Sequence, residues 1–328
     1  MRRLVVLLLL VLASLGAGGY FWLQQPLELV GEAPLDLSIE PASSARSVAQ
    51  SVSQAGVRVH PTLLYWCFRL SGQARQIKAG SYEIEAGITP WRLMQKLVQG
   101  DEALRSLTLV EGWNIRQVRD ALAKADALKP ASKDLTDDAL MGALGLPGTH
   151  PEGRFFPDTY SYSKGSSDLA LLKRAQRAQA QHLQAAWDQR RPDSPLKTPQ
   201  EALILASIVE KETGRASDRA QVAGVFVNRL RLGMPLQTDP TVIYGLGANY
   251  DGRLHRRDLL ADTPYNTYTR SGLPPTPIAM PGRAALLAAV LPAPTKALYF
   301  VSRGDGSSQF SATLEEHNRA VNKYIRGQ

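Results

Sequence analysis

The sequence has 328 residues, of which 44% are hydrophobic and 21% are charged, a composition typical of globular chains and not of disordered ones. That length favours two domains, and the formal net charge of +8 suits an anionic membrane surface or an anionic polymer as partner, or simply solubility. A single cysteine, Cys67, excludes an internal disulfide, and the five histidines show no metal-ligand spacing, so neither a metal nor another cofactor is predicted.

The N-terminal segment carries the first local signal. Arg2 and Arg3 precede an uncharged run over residues 4–27, which is long enough to cross a hydrocarbon layer of about 30 Å as a helix. We therefore predict a cytoplasmic tip and a single-pass transmembrane anchor over residues 1–25. The alternative is a signal peptide cleaved near Ala13–Gly19. Both interpretations place the rest of the chain on the periplasmic or extracytoplasmic side of the cell inner (cytoplasmic) membrane, where nucleic acid is not an expected partner.

Residues 26–41 contain three prolines and are predicted to form an extended linker. A compact unit follows over residues 42–105. Its predicted elements are two short helices (44–54 and 61–70), a strand (81–84), and a helix that Thr89-Pro90 opens and Gly100 closes. Proline is favoured at the first helical position, and glycine in the left-handed position after the last turn.

Residues 106–328 form the larger predicted unit, in which helices outnumber strands, so the fold class is α+β. The long helix over residues 167–191 is rich in Ala, Gln and Arg and is expected on the surface. The other predicted elements are a strand (106–110), helices at 114–125, from Thr198, from Ser217 and at 284–291, a hairpin about residues 304–306, and a last helix that Thr313 and Glu316 cap.

The helix after Thr198 carries two acids close to its end. The segment Thr198-Pro199-Gln200-Glu201 is a capping box, and Gly214 is suited to a left-handed end. At 3.6 residues per turn, Glu212 lies on the same face as Val209, Ile208 and Leu205, in the middle of an apolar stripe, whereas Glu210 lies on a different face.

A carboxyl group in apolar surroundings has a raised pKa, which is the state that a general acid needs near neutral pH. Glu212 is therefore the candidate acid. The alternative is that Glu212 reaches water at the helix end or pairs with Arg215 or Arg219, since a perturbed acid is only a probabilistic marker of a site.

Two further segments, residues 234–245 and 263–282, are dense in Thr, Asn, Tyr and Pro and are almost without charge. Long ordered loops of this kind are usually functional, and hydroxyl, amide and tyrosine groups are suited to binding uncharged sugars. The alternative is a rigid, proline-rich connector.

Several long motifs occur in a characteristic order: KAGSYEI, TPWRLMQKLVQG, PEGRFFPDTYSY, ASIVEKET, VFVNRLRLGMPLQTDPTVIYG, YNTY, GLPPTPIAMPG and EHN. Together they resemble the membrane-anchored endolytic murein transglycosylase family, also called YceG-like, from about residue 76 to the C-terminus. The resemblance implies a LysM-like module over residues 42–105 and a catalytic transglycosylase domain over residues 106–328. It also implies that the second acid of the E-K-E motif, Glu212, is catalytic.

The family resemblance further implies the reaction. Peptidoglycan glycan strands would be cut between N-acetylmuramic acid and N-acetylglucosamine, leaving a 1,6-anhydromuramic acid end, with the murein synthesis or division machinery as possible protein partners. One position departs from the pattern, because Gln309 stands before Phe310 where many relatives carry His.

The chemistry needs one carboxyl group if the substrate's own C6 hydroxyl attacks the anomeric carbon, since Glu212 then acts first as acid and afterwards as base. We expect five residues to orient the sugar or the acid: Gln237, Thr238, Asp239, Tyr265 and Asn266. Glu152 and Asp158 are expected to fix structure near the cleft.

Two other functions stay open at this point. A lysozyme-type muramidase would use water in place of the C6 hydroxyl, and a non-catalytic peptidoglycan-binding scaffold would not need Glu212.

Overall fold

The computed structural model describes residues 2–31 and 33–327, which divide into two compact units, each with its own hydrophobic core. Unit 1 comprises Met1–Arg105, Asp126–Leu128 and Ser161–Ser166. Unit 2 comprises Ser106–Ala125, Lys129–Tyr160 and Ser167–Gln328. Both units mix helices and strands, so the α+β class is as predicted.

The chain begins with helix α1 (Arg2–Gln24). Within the part of the chain that the structure describes, however, no helix combines the length and the apolar character needed to cross a membrane. The prediction of a transmembrane anchor over residues 1–25 is therefore wrong. The sequence argument counted uncharged residues, which is a weaker requirement than continuous apolar surface, and the segment includes small residues such as Gly18 and Gly19.

Unit 1 contains two antiparallel strand pairs, β1 (Glu28–Leu29) with β3 (Val57–Arg58) and β2 (Leu35–Ile39) with β4 (Gly80–Ile84). Three helices complete it: α2 (Ala45–Gln54), α3 (Pro61–Leu70) and α4 (Pro90–Gln99). These three helices and β4 lie close to the predicted positions.

The segment predicted as a linker, residues 26–41, differs from the prediction because it contains β1 and β2. Leu37 and Ile39 are buried, whereas Asp36 and Ser38, which alternate with them, are exposed, as in a strand with one face on a core. Leu37 pairs with Tyr82 of β4, and both side chains belong to the core of unit 1. The prolines of the segment concealed this period-two pattern.

Helix ends in unit 1 follow the sequence signals. The Ser44 side chain accepts a hydrogen bond from the Ser47 amide (3.1 Å), and the Thr89 side chain accepts one from the Arg92 amide (3.2 Å). Gly100 ends α4 in the left-handed conformation, as predicted. Cys67 on α3 is partly buried, and burial raises the pKa of its thiol, which fits a packing role.

Unit 2 is mainly helical. Its helices are α5 (Ile115–Lys124), α6 (Asp137–Ala143), α7 (Asp168–Trp187), α8 (Pro199–Glu212), α9 (Ala216–Arg231), α10 (Asp239–Leu246), α11 (Arg256–Leu260), α12 (Arg283–Val290) and α13 (Leu314–Val321). A 3-10 turn follows α10 (Gly247–Asn249), and a π-helical turn follows α13 (Asn322–Arg326).

Four strands complete the topology. Strands β5 (Leu104–Thr108) and β6 (Thr159–Ser163) pair with each other. Strands β7 (Tyr299–Ser302) and β8 (Ser308–Ser311) form the predicted antiparallel hairpin, with Val301 opposite Gln309.

Helix α8 lies at the centre of unit 2. Every side chain over Ala202–Val209 is buried, because helices α7, α9, α10 and α12 all pack against it. Its N-terminus has the expected cap, in which the Glu201 amide donates to the Thr198 side chain (3.2 Å). The prediction that α7 lies on the surface is correct for one face only, since Leu172, Ala175 and Leu183 are buried.

The end of α8 differs from the prediction. The helix stops at Glu212, and Thr213 is extended with φ −146°. Gly214 is not in the left-handed conformation, because its φ is not positive. A Cβ atom added at this position would have no atom within 4 Å other than those of Gly214 and its two chain neighbours. The chain leaves the helix through Thr213, whose Oγ1 accepts from the Arg215 amide (3.1 Å), so a left-handed glycine is not needed.

Candidate active site

The last turn of α8 delivers Glu212 to a cleft in unit 2 of about 390 Å³. Glu212 is partly buried and lies on the stripe that helical periodicity predicted. The cleft is lined by Glu212, Phe226, Arg229, Leu236, Gln237, Asp239, Tyr268, Tyr299, Phe300, Leu314 and His317. These side chains come from α8, α9, α10, α13, β7 and the loops between them, so folding assembles the site from distant segments.

The Glu212 carboxyl group has a raised pKa. The largest cause is burial, which penalises the charged form, and the nearby Asp239 carboxylate raises the pKa further. The Thr238 hydroxyl donates a short hydrogen bond to Glu212 Oε1, which favours the charged form and opposes the other two effects. No ion pair of Glu212 with Arg215 or Arg219 forms among the described residues.

Thr238 is held in place by a buried group of threonines. Its amide donates to Thr267 Oγ1 (3.1 Å), and its carbonyl accepts from Thr241 Oγ1 (2.8 Å). Thr241 and Thr267 also share a hydroxyl–hydroxyl hydrogen bond of 2.9 Å. Because all three side chains are buried, the hydroxyl that touches Glu212 has little freedom to turn away.

Gln237 precedes Thr238 and lies in the left-handed region with φ 50°, a conformation that a residue with a side chain rarely adopts. Its amide donates to the Thr267 carbonyl (2.9 Å), and its Oε1 accepts from Arg229 Nη1 (3.1 Å). These contacts hold the turn in a conformation that directs Thr238 to Glu212.

Arg229 is a site residue that the sequence analysis did not identify. It is buried on α9, where Nε donates to the Leu298 carbonyl (2.7 Å) and Nη1 donates to the carbonyls of Pro235 and Leu236 (both 3.1 Å). One guanidinium group therefore joins the loop before Thr238 to the strand β7 region. A signal existed, because Arg229 shares a helical face with the buried Phe226.

Asp239 and Tyr268 form a second polar pair in the cleft. The Tyr268 hydroxyl donates to Asp239 Oδ1 at 2.5 Å, and burial together with this carboxylate raises the pKa of Tyr268. Asp239 is exposed and begins α10, so its second oxygen is accessible to a ligand in the cleft.

The opposite wall contains aromatic rings. His317 stacks on Tyr299 with ring centroids 5.2 Å apart, and Arg229 lies over the same tyrosine ring at 5.0 Å. Burial and the Arg229 cation both lower the pKa of His317, so its imidazole is neutral near pH 7. His317 belongs to the EHN motif, but the sequence analysis gave it no role.

Two of the five residues predicted to orient the sugar or the acid, Tyr265 and Asn266, neither line this cleft nor bond Glu212. Asn266 is fully buried, and its Nδ2 donates to the carbonyls of Asp258, Leu259 and Ala261 (3.1, 3.1 and 2.7 Å). The structure therefore uses this amide to satisfy the end of α11. Tyr265 packs on Tyr244 with ring centroids 4.9 Å apart, and its hydroxyl bonds Thr276 Oγ1 (2.8 Å). The contacts of both side chains are therefore internal to the protein and stabilise the segment over residues 263–282.

The segment predicted to be poor in structure, residues 234–245, contains most of α10. Pro240 occupies the first turn of this helix, where its missing amide hydrogen is not needed, so the proline begins a helix instead of breaking one.

Glu210 has a different role from Glu212. Its Oε2 accepts a hydrogen bond from the Gly282 amide (2.9 Å) at the start of α12, and it does not line the cleft. Burial raises the pKa of Glu210 as well. A raised pKa alone therefore does not distinguish the two acids, whereas position in the cleft does.

Asp158 and Gln309 lie outside the cleft. Asp158 is exposed, and its Oδ1 accepts from the Thr159 amide (2.7 Å). Gln309 lies on β8 and accepts from Arg303 Nη2 (2.5 Å). Across the described residues, no group of three or more His, Cys, Asp or Glu side chains is placed to hold a metal ion.

Comparison with known proteins places this arrangement in a family. The chain matches the YceG-like family over residues 37–323. It is 32% identical to an endolytic murein transglycosylase of Bacillus subtilis (strain 168), over 92% of this chain and 88% of that protein. It is 26% identical to a protein of the same name from Streptococcus pneumoniae serotype 2, over 99% of this chain and 65% of that protein.

A solved structure is similar as well. The crystal structure of a YceG-like protein from Listeria monocytogenes matches with a TM-score of 0.56 and 26% identity, over 88% of this chain and 99% of that one. A polar cleft with one carboxyl group of raised pKa defines a candidate acid–base enzyme. The chain belongs to the YceG-like family, and the predicted family and enzyme class, lytic transglycosylase, are confirmed.

Glu152 is a buried acid of unit 2 that lies outside the cleft lining and affects the pH dependence of stability. It is fully buried, and both carboxyl oxygens accept from the Ile115 amide (3.2 and 3.1 Å) at the start of α5. Burial raises its pKa from 4.5 to about 7. The native state therefore binds this proton more tightly than the unfolded chain, and stability falls as pH rises from 4.5 towards 7.

We predict that Glu152→Gln removes this pH dependence. The variant should match the parent near pH 4.5 and exceed it by about 1 to 3 kcal/mol in free energy of unfolding at pH 8, because Gln carries no charge to bury. Urea melts at both pH values measure the difference. Asp120→Asn, at an exposed position, serves as control and should leave the free energy of unfolding unchanged at both pH values. An equal effect of Glu152→Gln at both pH values would contradict the raised pKa of Glu152.

Proposed function

We propose that this chain cuts murein glycan strands internally, between N-acetylmuramic acid and N-acetylglucosamine, and leaves a 1,6-anhydromuramic acid end. One observation carries the proposal: Glu212, on the wall of an open cleft, has a raised pKa and a fixed hydroxyl partner in Thr238. Relatives named endolytic murein transglycosylase supply the substrate class. The reaction takes place on the extracytoplasmic side, where the substrate lies.

The first step is protonation of the leaving group. Glu212 begins protonated because burial disfavours its charge, and it donates this proton to the glycosidic oxygen as the bond to the anomeric carbon breaks. The Thr238 hydroxyl then stabilises the carboxylate that remains. Asp239 supplies negative charge on the same side of the cleft, which favours the positive charge that develops on the sugar ring.

The second step closes the anhydro ring. The Glu212 carboxylate accepts the proton of the C6 hydroxyl as that oxygen bonds to the anomeric carbon. The proton balance is complete, since Glu212 returns to its neutral state and no water is consumed. A retaining hydrolase would instead need a carboxylate nucleophile about 5 to 5.5 Å from the acid. The other carboxylate of the described cleft lining, Asp239, already accepts a hydrogen bond from Tyr268, and it is not assigned as such a nucleophile.

The remaining cleft residues are assigned to sugar binding. Gln237 and Asp239 are exposed and offer hydrogen-bonding groups, whereas Tyr268 offers a ring. Thr238 acts on the acid itself. Contact with the murein synthesis or division machinery stays a prediction from the family resemblance.

We predict that Glu212→Gln folds normally and loses strand cleavage by about 10³-fold or more, because Gln neither donates nor accepts the catalytic proton. Glu210→Gln should lose less than about tenfold, or 1.4 kcal/mol in the barrier, since Gln can still accept from the Gly282 amide. Both variants and the parent are incubated with purified glycan strands, and product masses are read by mass spectrometry.

The parent should give anhydro ends, which are lighter by one water than hydrolytic ends. Thermal melts show whether each variant is folded. Hydrolytic ends from the parent point to a muramidase, and strand cleavage that survives Glu212→Gln in full contradicts the assignment of the acid.

We also predict that Thr238→Val moves the alkaline limb of the pH–rate profile to higher pH. The lost hydrogen bond favours the charged form of Glu212, so its removal raises the pKa of Glu212 and keeps the acid protonated to higher pH. The maximal rate should fall, because the acid is less well oriented. Thr213→Val is the matched control, since within the described part of the chain the Thr213 hydroxyl forms hydrogen bonds with Arg215 and not with Glu212. An unchanged or downward-shifted limb in Thr238→Val contradicts the proposed role.

A further inference from the structure

Unit 1 contains a groove of about 480 Å³ that the proposed reaction does not use. Three arginines line it from different segments: Arg46 on α2, Arg69 on α3, and Arg75 in the loop after α3. The floor includes the Tyr65 ring, and the apolar part of the wall includes Ile77.

The three guanidinium groups have no carboxylate partner within the described part of the chain. Other arginines of unit 1 do, as Arg105 contacts Glu83 at 2.7 Å and Arg58 contacts Glu28 at 3.3 Å. The contrast shows that unit 1 pairs arginines elsewhere and leaves those of the groove available.

The one acidic residue in the groove lining, Glu40, forms no ion pair among the described residues. The groove therefore carries a surplus of positive charge. Arg46 also lies over the Tyr65 ring at 5.2 Å from its centroid, which limits the positions of its guanidinium group before any ligand binds.

We propose that this groove binds the carboxylates of the peptide stems that branch from murein glycan strands. The inference rests on the proposed function for the identity of the polymer. A guanidinium group is a planar fork of donors that matches a carboxylate in a two-point contact. Three such groups on separate segments suit an extended ligand with several negative charges.

The size and lining of the groove favour a peptide over a compact anion. The three cations come from separate segments and line a groove of about 480 Å³, a volume suited to an extended organic ligand. Ala74 and Ile77, both partly buried, add apolar surface to the same lining, which suits the small methyl side chains of alanine residues in a stem peptide.

The test measures binding by the full chain carrying Glu212→Gln, which prevents cleavage during the measurement. Five probes are compared by isothermal titration calorimetry. Three test the proposal: glycan strands with their peptide stems, the same strands stripped of stems by an amidase, and a free stem peptide. Inorganic phosphate and anionic lipid vesicles test the other anions. The groove variant additionally carries Arg46→Gln, Arg69→Gln and Arg75→Gln, all at exposed positions, and thermal melts check that it is folded.

A matched control removes the same net charge elsewhere, through Arg92→Gln, Lys133→Gln and Arg256→Gln, which are exposed and line neither the groove nor the Glu212 cleft. The parent and the control should bind stem-bearing strands about tenfold more tightly than stripped strands. The groove variant should lose this preference. It should bind both kinds of strand with the affinity that the parent shows for stripped strands, and it should no longer bind the free stem peptide.

A preference for stems that persists in the groove variant overturns the proposal, and so does a parent without any preference. Binding of inorganic phosphate or anionic vesicles in place of stem peptide also overturns it, by assigning the groove to another anion. Cleavage of both kinds of strand by the unmutated chain, measured in parallel, separates the two proposals. If strands are cut but binding shows no stem preference, only the groove assignment fails, and if neither kind of strand is cut, the proposed function fails.

Discussion

The burial of helix α8 on all sides is the constraint on which the site depends. From Ala202 to Val209 the helix presents no surface to water, so its polar residues can reach a ligand only at its ends. Glu212 occupies the last helical position, where the apolar environment of the core meets the cleft. This position gives the carboxyl group two properties together, a raised pKa from burial and access to a substrate.

The position of the helix end also explains why several hydrogen bonds fix the conformation of the loop before α10. A carboxyl group that both gives and accepts a proton needs a partner at a fixed distance, and Thr238 is that partner. The strained conformation of Gln237 is maintained by contacts with Arg229 and Thr267, whose free energy offsets a backbone cost on the order of 1 to 3 kcal/mol. Strain of this kind is typical of positions where geometry serves function.

Charge is distributed unevenly around the acid. The Arg229 cation is buried and donates most of its hydrogen bonds to backbone carbonyls, whereas Asp239 is an exposed residue of the cleft lining. A sugar that develops positive charge would therefore meet a carboxylate first, while the cation serves mainly to hold the loop. In unit 1 the opposite arrangement holds, because the groove arginines are exposed and have no carboxylate partner among the described residues.

Local signals in the sequence predicted the parts of the structure that local physics determines. Helix caps at Thr89, Thr198 and Thr313 follow from short-range hydrogen bonds, and Glu212 follows from the 3.6-residue period. Arg229 was not identified, because its importance comes from carbonyls that folding brings to it.

The loop residues show where residue type misleads. Asn266 and Tyr265 have the same kinds of polar group as Gln237 and Asp239, yet they are consumed by internal contacts. A polar side chain is equally suited to satisfying a buried backbone carbonyl and to binding a sugar hydroxyl, and only the tertiary structure decides between the two. The predicted membrane anchor failed for a related reason, since the absence of charge was treated as sufficient.

Direct titration of the Glu212 carboxyl group tests the central claim most directly. The chain is labelled with ¹³C at glutamate carboxyl carbons, and the signal of Glu212 is assigned by its absence from Glu212→Gln. The account predicts that this signal titrates with a midpoint clearly above the ordinary value of 4.5. A midpoint at or below 4.5 would mean that Glu212 is ionised at neutral pH, and it could not then be the acid that begins the reaction.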